Sequence, residues 1–153
     1  MARLTGEDIA VDLPAGWEGT IGRAEALAPL GGVQTRQPTV GHFANFPLPA
    51  ARADFGAEAV EVMRAGDVFV VLFEYGPESV GTALFANVGV PQIKSSDFDR
   101  NALQHGIPGQ SGLQRFFTAN GRPFCIYVVV GSHIDRADAV APVNSLLSSL
   151  EIG

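Results

Sequence analysis

The sequence has few positively charged residues and almost no lysine. Lys and Arg together number 10 against 16 Asp and Glu, which gives a net charge of −6, and Lys94 is the single lysine. The basic residues form no cluster along the chain. A protein that binds nucleic acid needs concentrated positive charge to neutralise phosphates. We therefore expect no nucleic-acid partner.

Cysteine is equally scarce, and this excludes an intramolecular disulfide. The single cysteine, Cys125, lies inside an apolar run. A cysteine in such surroundings packs as a small hydrophobe, and its thiol reacts slowly because the thiolate is disfavoured away from water and cations. We predict that Cys125 is buried and inert.

The motifs of several enzyme classes are also missing. The chain has no G-x-x-x-x-G-K-[ST] loop, no G-x-G-x-x-G after a strand, and neither H-E-x-x-H nor C-x-x-C. Residues 109–113, GQSGL, lack the second glycine of the G-x-S-x-G elbow. These absences favour a protein that is not an enzyme, and we expect no cofactor and no bound metal ion.

No apolar run approaches the roughly 20 residues of a membrane-spanning helix. The opening MARLTGEDIAVDLP has no apolar core of a signal peptide, so we predict a cytoplasmic protein. Hydrophobic residues nevertheless make up 46% and charged residues 17%. So apolar a composition indicates elements buried on both faces, or an exposed apolar patch used for association. The expected partner is another protein or a second copy of the chain.

The length of 153 residues suits one domain, which we place at residues 1–153. Residues 9–13 and 39–49 alternate apolar and polar side chains, as half-buried strands do, and residues 17–22 read as a further strand. The run 68–73 and residues 124–130 are apolar on both faces, which predicts two central strands, neighbouring or near-neighbouring in the sheet. Asn120-Gly121 predicts a type I′ hairpin turn before the second run.

Helical patterns occupy two further segments. Residues 54–66 read as a short helix with Asp54 as its cap and Gly66 after its end. Residues 138–152 carry an apolar stripe, and Pro142 is acceptable there if Asp138 is the N-cap. Residues 24–38 and 104–112 read as loops, and a short helix from Pro77 to Leu84 is weakened by Gly81. The order of these predicted strands and helices indicates an α+β fold, which is a mainly antiparallel sheet with helices packed on its faces.

Glu74 follows the apolar run 68–73 and has two interpretations. It acts as a general acid or base if an apolar pocket raises its pKa. It marks the exit of the strand if loop N–H groups or an arginine satisfy it, in which case its pKa is lowered and it stays charged. We predict the structural role, because no second titratable group is adjacent in sequence.

Candidate binding residues beyond Glu74 are one tryptophan and the three histidines: Trp17, His42, His105 and His133. An exposed Trp17 would suggest a recognition hot spot, although a tryptophan after a turn more often closes the edge of a core. His42, His133 and Glu74 share a site only if the strand order brings them together. The loop 106–112 also offers backbone N–H groups that could bind an anion, although such loops are commoner without a function.

The opening IAVDLPAGWEGTI, a strand, a Pro-x-Gly-Trp turn and a second strand, is similar to the opening of the Mog1/PsbP-like group. The ending VNSLLSSLEI resembles that group's closing helix, and HFANFPLP and GRPFCIYVVVGS resemble segments of uncharacterised small proteins from high-GC bacteria. The resemblance implies a sheet with helices on both faces and a non-catalytic role. It carries over no functional residue.

Two functional hypotheses follow. The first is a non-enzymatic binding or accessory protein that acts through a protein–protein surface, which the missing motifs and the apolar composition favour. The second is a small-molecule binder or hydrolase with a pocket near Glu74, His42 and His133. A flat apolar patch favours the first, and a closed pocket with converging polar groups favours the second.

Overall fold

A computed structural model describes residues 2–24, 38–50, 56–104 and 106–153. The strands and α-helices in these ranges are β1 (Ala2–Gly6), β2 (Ile9–Leu13), β3 (Glu18–Arg23), β4 (Thr39–Ala44), α1 (Ala57–Glu61), β5 (Val68–Glu74), β6 (Ser111–Ala119), β7 (Arg122–Val130), α2 (Ala137–Ser149) and β8 (Glu151–Ile152). The strand ladders are antiparallel. The predicted α+β class and the mainly antiparallel sheet are confirmed.

The two apolar runs form the centre of a five-stranded sheet with the order β3-β4-β5-β7-β6. β5 and β7 pair directly, from Val68 opposite Val130 to Glu74 opposite Phe124. Side chains from Val68 to Leu72 and from Pro123 to Val130 are buried. The prediction of two neighbouring central strands is confirmed, with the difference that Phe73 is half-buried because it lies near the corner of the sheet.

The two faces of this sheet carry separate apolar clusters. On one, called the α2 face, Val70, Leu72 and Ile126 pack with residues of α2 and β2. On the other, called the α1 face, Phe69 and Tyr127 pack with residues of α1 and the chain after β4. Because successive side chains of a strand point to opposite faces, each central strand contributes to both clusters.

A second, three-stranded sheet has the order β1-β2-β8, and the sequence patterns missed both of its outer strands. The segment predicted at 17–22 is β3, which pairs with β4 in the large sheet rather than with β2. The chain passes from one sheet to the other through the turn in which the Trp17 N–H donates to the Pro14 carbonyl at 3.0 Å. Gly16 in this turn has φ +81°, a conformation that glycine adopts without strain.

The helix predicted at 54–66 is shorter than expected. α1 ends at Glu61, and its N-cap is Gly56, whereas Asp54 lies outside the described residues. Beyond the helix, the Asp67 carboxylate accepts the Arg64 N–H at 2.8 Å, and the Asp67 N–H returns to the Arg64 carbonyl at 3.0 Å. This turn directs the chain into β5, so Gly66 lies within it and does not end the helix.

The prediction for the last helix was wrong at both ends. α2 begins at Ala137 with Arg136 at the N-cap, so Asp138 is not the cap and Pro142 is the sixth helical residue. The proline removes the N–H that would bond to the carbonyl of Asp138, and Asp138 is exposed to water. α2 ends at Ser149, because residues 151 and 152 pair with β2.

The connections follow the predicted turns in part. The hairpin of β6 and β7 has Asn120 at φ 49° and Gly121 at φ 72°, which confirms the type I′ turn. The helix expected from Pro77 to Leu84 is two 3-10 turns, Pro77–Ser79 and Ala83–Phe85, separated by Gly81 at φ 87°. A third covers Ser95–Asp97. The loop predicted at 104–112 gives way to β6 at Ser111, and most of the loop predicted at 24–38 lies outside the described residues.

Gly56 gives a test of the packing on the α1 face. A Cβ at Gly56 would collide with the ring of Phe69, which is fully buried, whereas a Cβ at Gly16 would meet open space. Both glycines have positive φ, so alanine costs about 1 kcal/mol of backbone strain at either position. We predict that Gly56→Ala lowers the free energy of unfolding by about 2 kcal/mol more than Gly16→Ala, measured by urea denaturation. Equal losses would contradict the packing described.

Cys125 is buried on the α1 face, and burial raises the pKa of its thiol to about 12. We predict that a thiol reagent labels the native protein far more slowly than the urea-unfolded protein, in which the thiol reacts at once. Since the unfolded thiol ionises at a lower pH, burial of Cys125 should also make stability fall as the pH rises from about 9 towards 12. The variant Cys125→Ala should reduce that slope. Rapid labelling of the folded protein at pH 7 would disprove the prediction.

Candidate functional site

The side chain of Glu74 ends on the α2 face, at the edge where β5 leaves the sheet. Both oxygens of its carboxylate accept hydrogen bonds from Arg122: Nε donates to Oε2 and Nη2 donates to Oε1, each at 2.9 Å. The side chains are 17% exposed for Arg122 and 16% for Glu74. This parallel two-bond geometry is the strongest form of carboxylate recognition by arginine. It is the kind of partner that the structural interpretation of Glu74 required.

Arg122 connects this pair to the turn between β1 and β2 and to the residue that follows β8. Its Nη1 donates to the carbonyls of Glu7 and Gly153, each at 3.2 Å, and its guanidinium lies 5.2 Å from the ring centroid of Phe124. The hydrogen bond with Glu74 raises the pKa of Arg122. The arginine therefore remains charged, and the groups that contact it among the described residues are acceptors and an aromatic face.

The predicted histidines do not join Glu74. His42 lies opposite Val71, in the middle of β4, and its buried ring packs 5.5 Å from that of Phe69 on the α1 face. His133 follows β7 at the end where Val130 pairs with Val68, which is the far end of β5 from Glu74. His105 lies outside the described residues. The geometry thus gives no support to a site built from Glu74, His42 and His133.

His133 has a local structural environment of its own. Its N–H donates to the Gly109 carbonyl at 2.8 Å, and its carbonyl accepts from Arg136 Nη1 at 2.9 Å. Desolvation, and then the positive charges of Arg136 and Arg100, lower the pKa of His133. The ring is therefore neutral at pH 7.

Trp17 and the 106–112 loop have structural surroundings. Trp17 is half-buried and packs against the cluster of the α2 face, at the edge of the core. In the loop, the Gln110 N–H donates to the Ile107 carbonyl at 3.2 Å, and the Gly112 N–H donates to the Asp99 carbonyl at 3.0 Å. These amides are already bonded within the chain, so they do not point at an anion.

The feature that the sequence patterns missed is a group of four rings on the α1 face, here called the aromatic corner: Phe73, Tyr75, Phe85 and Phe116. Tyr75 is its centre, with ring centroids 5.1 Å from Phe73, 5.2 Å from Phe85 and 6.1 Å from Phe116. Phe85 and Phe116 meet edge to face at 5.6 Å. Three of the rings are half-buried, while Phe85 is buried. The available signal was the spacing of Phe73 and Tyr75, which places both on one face of the strand.

A cavity of about 290 Å³ adjoins the aromatic corner. Its lining is formed by residues 73–78, at the exit of β5, together with Pro38. The Glu78 carboxylate folds back over Gly76, so a Cβ at position 76 would collide with its oxygens. Burial raises the pKa of the Tyr75 phenol, which therefore stays neutral at pH 7. The cavity thus combines aromatic walls with an exposed carboxylate.

Within the described ranges, His, Cys, Asp and Glu side chains form no group of three or more that is placed to hold a metal ion. None of the helices in those ranges is both long enough and apolar enough to cross a membrane. Comparison with known proteins found no matching family model, no matching curated protein and no matching solved structure.

The Glu74–Arg122 pair can be tested for its structural weight. We predict that Glu74→Gln lowers the free energy of unfolding by about 1 kcal/mol, because its hydrogen bonds are only weakened. Arg122→Met should cost about 3 kcal/mol, because it leaves a largely buried carboxylate without its cation. Both are measured by urea denaturation.

The matched control for this prediction is Arg115→Gln, which breaks a more exposed pair. Arg115 Nη2 lies 2.8 Å from Asp97 Oδ1, and its side chain is 40% exposed. We expect a loss below about 1 kcal/mol. An Arg122 variant no more damaging than the Arg115 variant would show that the pair contributes little to stability.

Proposed function

We propose that the chain is a non-enzymatic binding or accessory protein that acts through a protein–protein surface at the aromatic corner. The observation that carries the proposal is the apolar exposure around this corner. Val88 is 86% exposed and Leu84 is 57% exposed, and both lie within three residues of the buried Phe85 in the sequence. Exposed large apolar side chains beside partly buried aromatic rings are characteristic of interaction sites.

The surface is held in place by the sheet. The Thr118 N–H donates to the Asn87 carbonyl at 2.8 Å, and the Gly89 N–H donates to the Thr118 carbonyl at 2.8 Å, so Val88 is fixed against the edge of β6. The Thr118 hydroxyl also donates to the Phe85 carbonyl at 2.8 Å. A patch fixed in this way loses little conformational entropy when a partner binds.

The Mog1/PsbP-like assignment is part of the same proposal. It is supported by the order of elements, in which β2, the Pro14–Trp17 turn and β3 follow one another after β1, and α2 follows the last long strand. A non-catalytic role agrees with the separation of Glu74 from His42 and His133. The cytoplasmic location stays a prediction from the sequence. Fold alone does not give function, so the proposal rests mainly on the surface.

The test is affinity purification from the native host with the wild-type chain and with Leu84→Asp/Val88→Asp. We predict that a protein retained by the wild type is lost with the double variant, because a charge in the apolar centre of an interface is strongly unfavourable. Both side chains are largely exposed, so the thermal stability of the variant should be unchanged.

The matched control is Ile134→Asp. Ile134 is 81% exposed but follows β7 at the opposite end of the sheet from the aromatic corner. It should retain the partner. If the Ile134 variant loses the partner and the double variant keeps it, the surface has been assigned to the wrong end of the molecule. A homo-oligomer is tested in parallel by sedimentation of the same variants.

A further inference from the structure

We propose that the cavity beside the aromatic corner receives a guanidinium group, carried by an arginine side chain of the protein partner. The inference rests on the proposed function, since it names the chemistry of the partner at the same surface. It is carried by two features of the cavity: its aromatic walls and its carboxylate.

The aromatic walls are Phe73 and Tyr75. Both residues belong to the lining, and their rings meet at 66° with centroids 5.1 Å apart. The face of an aromatic ring carries negative potential and attracts cations, arginine more often than lysine. A guanidinium is also planar and weakly hydrated, so that stacking on a ring costs it less water than an ammonium would lose.

The carboxylate is that of Glu78. It makes no ion pair with any other residue in the described parts of the chain. The other acidic residue of the lining, Glu74, is neutralised by Arg122 on the α2 face. Among the described residues of the lining, Glu78 is therefore the charged group without an ion-pair partner, and the chain as a whole carries −6. A cationic group is the complement of such a cavity.

The cavity has a volume of about 290 Å³. It meets the apolar surface through Tyr75, which lines the cavity and lies 5.2 Å from Phe85, the residue after the exposed Leu84. A partner bound at the aromatic corner can therefore place one side chain in the cavity. The occupant that we propose is an arginine within a protein segment.

The experiment titrates Nα-acetyl-arginine amide into ¹⁵N-labelled protein and follows the amide resonances of Tyr75, Gly76 and Glu78. We expect saturable shifts confined to this region. The matched control ligand is Nα-acetyl-citrulline amide, which has the same shape without the charge. It should bind at least about fivefold more weakly, the equivalent of about 1 kcal/mol. Equal binding of the two ligands, or shifts elsewhere, would overturn the proposal.

Two variants of the protein remove the carboxylate in different ways. Glu78→Gln deletes its charge, and Gly76→Ala keeps the charge but displaces the Glu78 side chain from its position over residue 76. Gly76 has φ −64° and ψ 154°, which alanine adopts without strain, and Glu78 is exposed, so both variants should fold. We expect each to weaken arginine amide about fivefold. The exposed Glu58→Gln in α1 has the same net charge as Glu78→Gln and should leave binding unchanged.

Free arginine distinguishes the source of the guanidinium. If it binds more than tenfold tighter than the blocked amide, the cavity recognises an amino acid, and the assignment to a partner side chain falls. The outcome also separates this inference from the proposed function. A partner lost with Leu84→Asp/Val88→Asp but retained by Glu78→Gln would sustain the surface and overturn the arginine site. Binding of arginine amide without any captured protein would sustain the arginine site and overturn the protein–protein surface.

Discussion

Burial of β5 and β7 on both faces is the constraint on which the other elements depend. A strand of this kind needs a hydrogen-bonded neighbour along each edge and apolar cover above and below, because an unpaired backbone group or a wet apolar face is costly. β4 pairs with the outer side of β5, and β6 pairs with the outer side of β7. α2 with the small sheet covers one face, and α1 with the chain after β4 covers the other. This cover stops where the strands end and at the edge of the sheet.

The exit of β5 is such a place, and it sends neighbouring residues to opposite faces. Glu74 points to the α2 face and is neutralised by Arg122, while Phe73 and Tyr75 point to the α1 face and form part of the aromatic corner. The alternation of a strand therefore separates a structural ion pair from a candidate binding surface by one residue. Glu74 also borders the cavity, but its charge is already compensated by Arg122.

The strands that are apolar over a long run were predictable, because their signal is local and strong. So was the hairpin, since Asn120 and Gly121 suit positive φ. β1 and β8 were not, because each is short and is formed only by pairing with β2. The start of α2 was misplaced because Arg136 continues a turn into the helix without a side-chain cap.

The candidate site was predictable only in part. That loop N–H groups or an arginine would satisfy Glu74 followed from its place at the end of a buried run. The choice of an arginine, and its identity as Arg122, depended on the pairing of β5 with β7. The aromatic corner draws on residues separated by up to 43 positions, from Phe73 to Phe116, and no local period links them. Phe85 joins it through a connection whose path is set by the edge of β6.

That connection has a consequence for self-assembly. β6 is the outermost strand on its side of the sheet, and an uncovered edge of this kind can template the addition of strands from other chains. Residues 87–99 bridge it near both ends, at Thr118 and Gly112, and the Arg115 guanidinium donates to the Gln114 carbonyl between them at 2.9 Å. The side chains of Ile93 and Phe98 lie in the core and hold this connection against the sheet. Residues 87–99 therefore cover part of the edge of β6 and restrain the addition of strands from other chains, for which the apolar β7 behind β6 would be well suited.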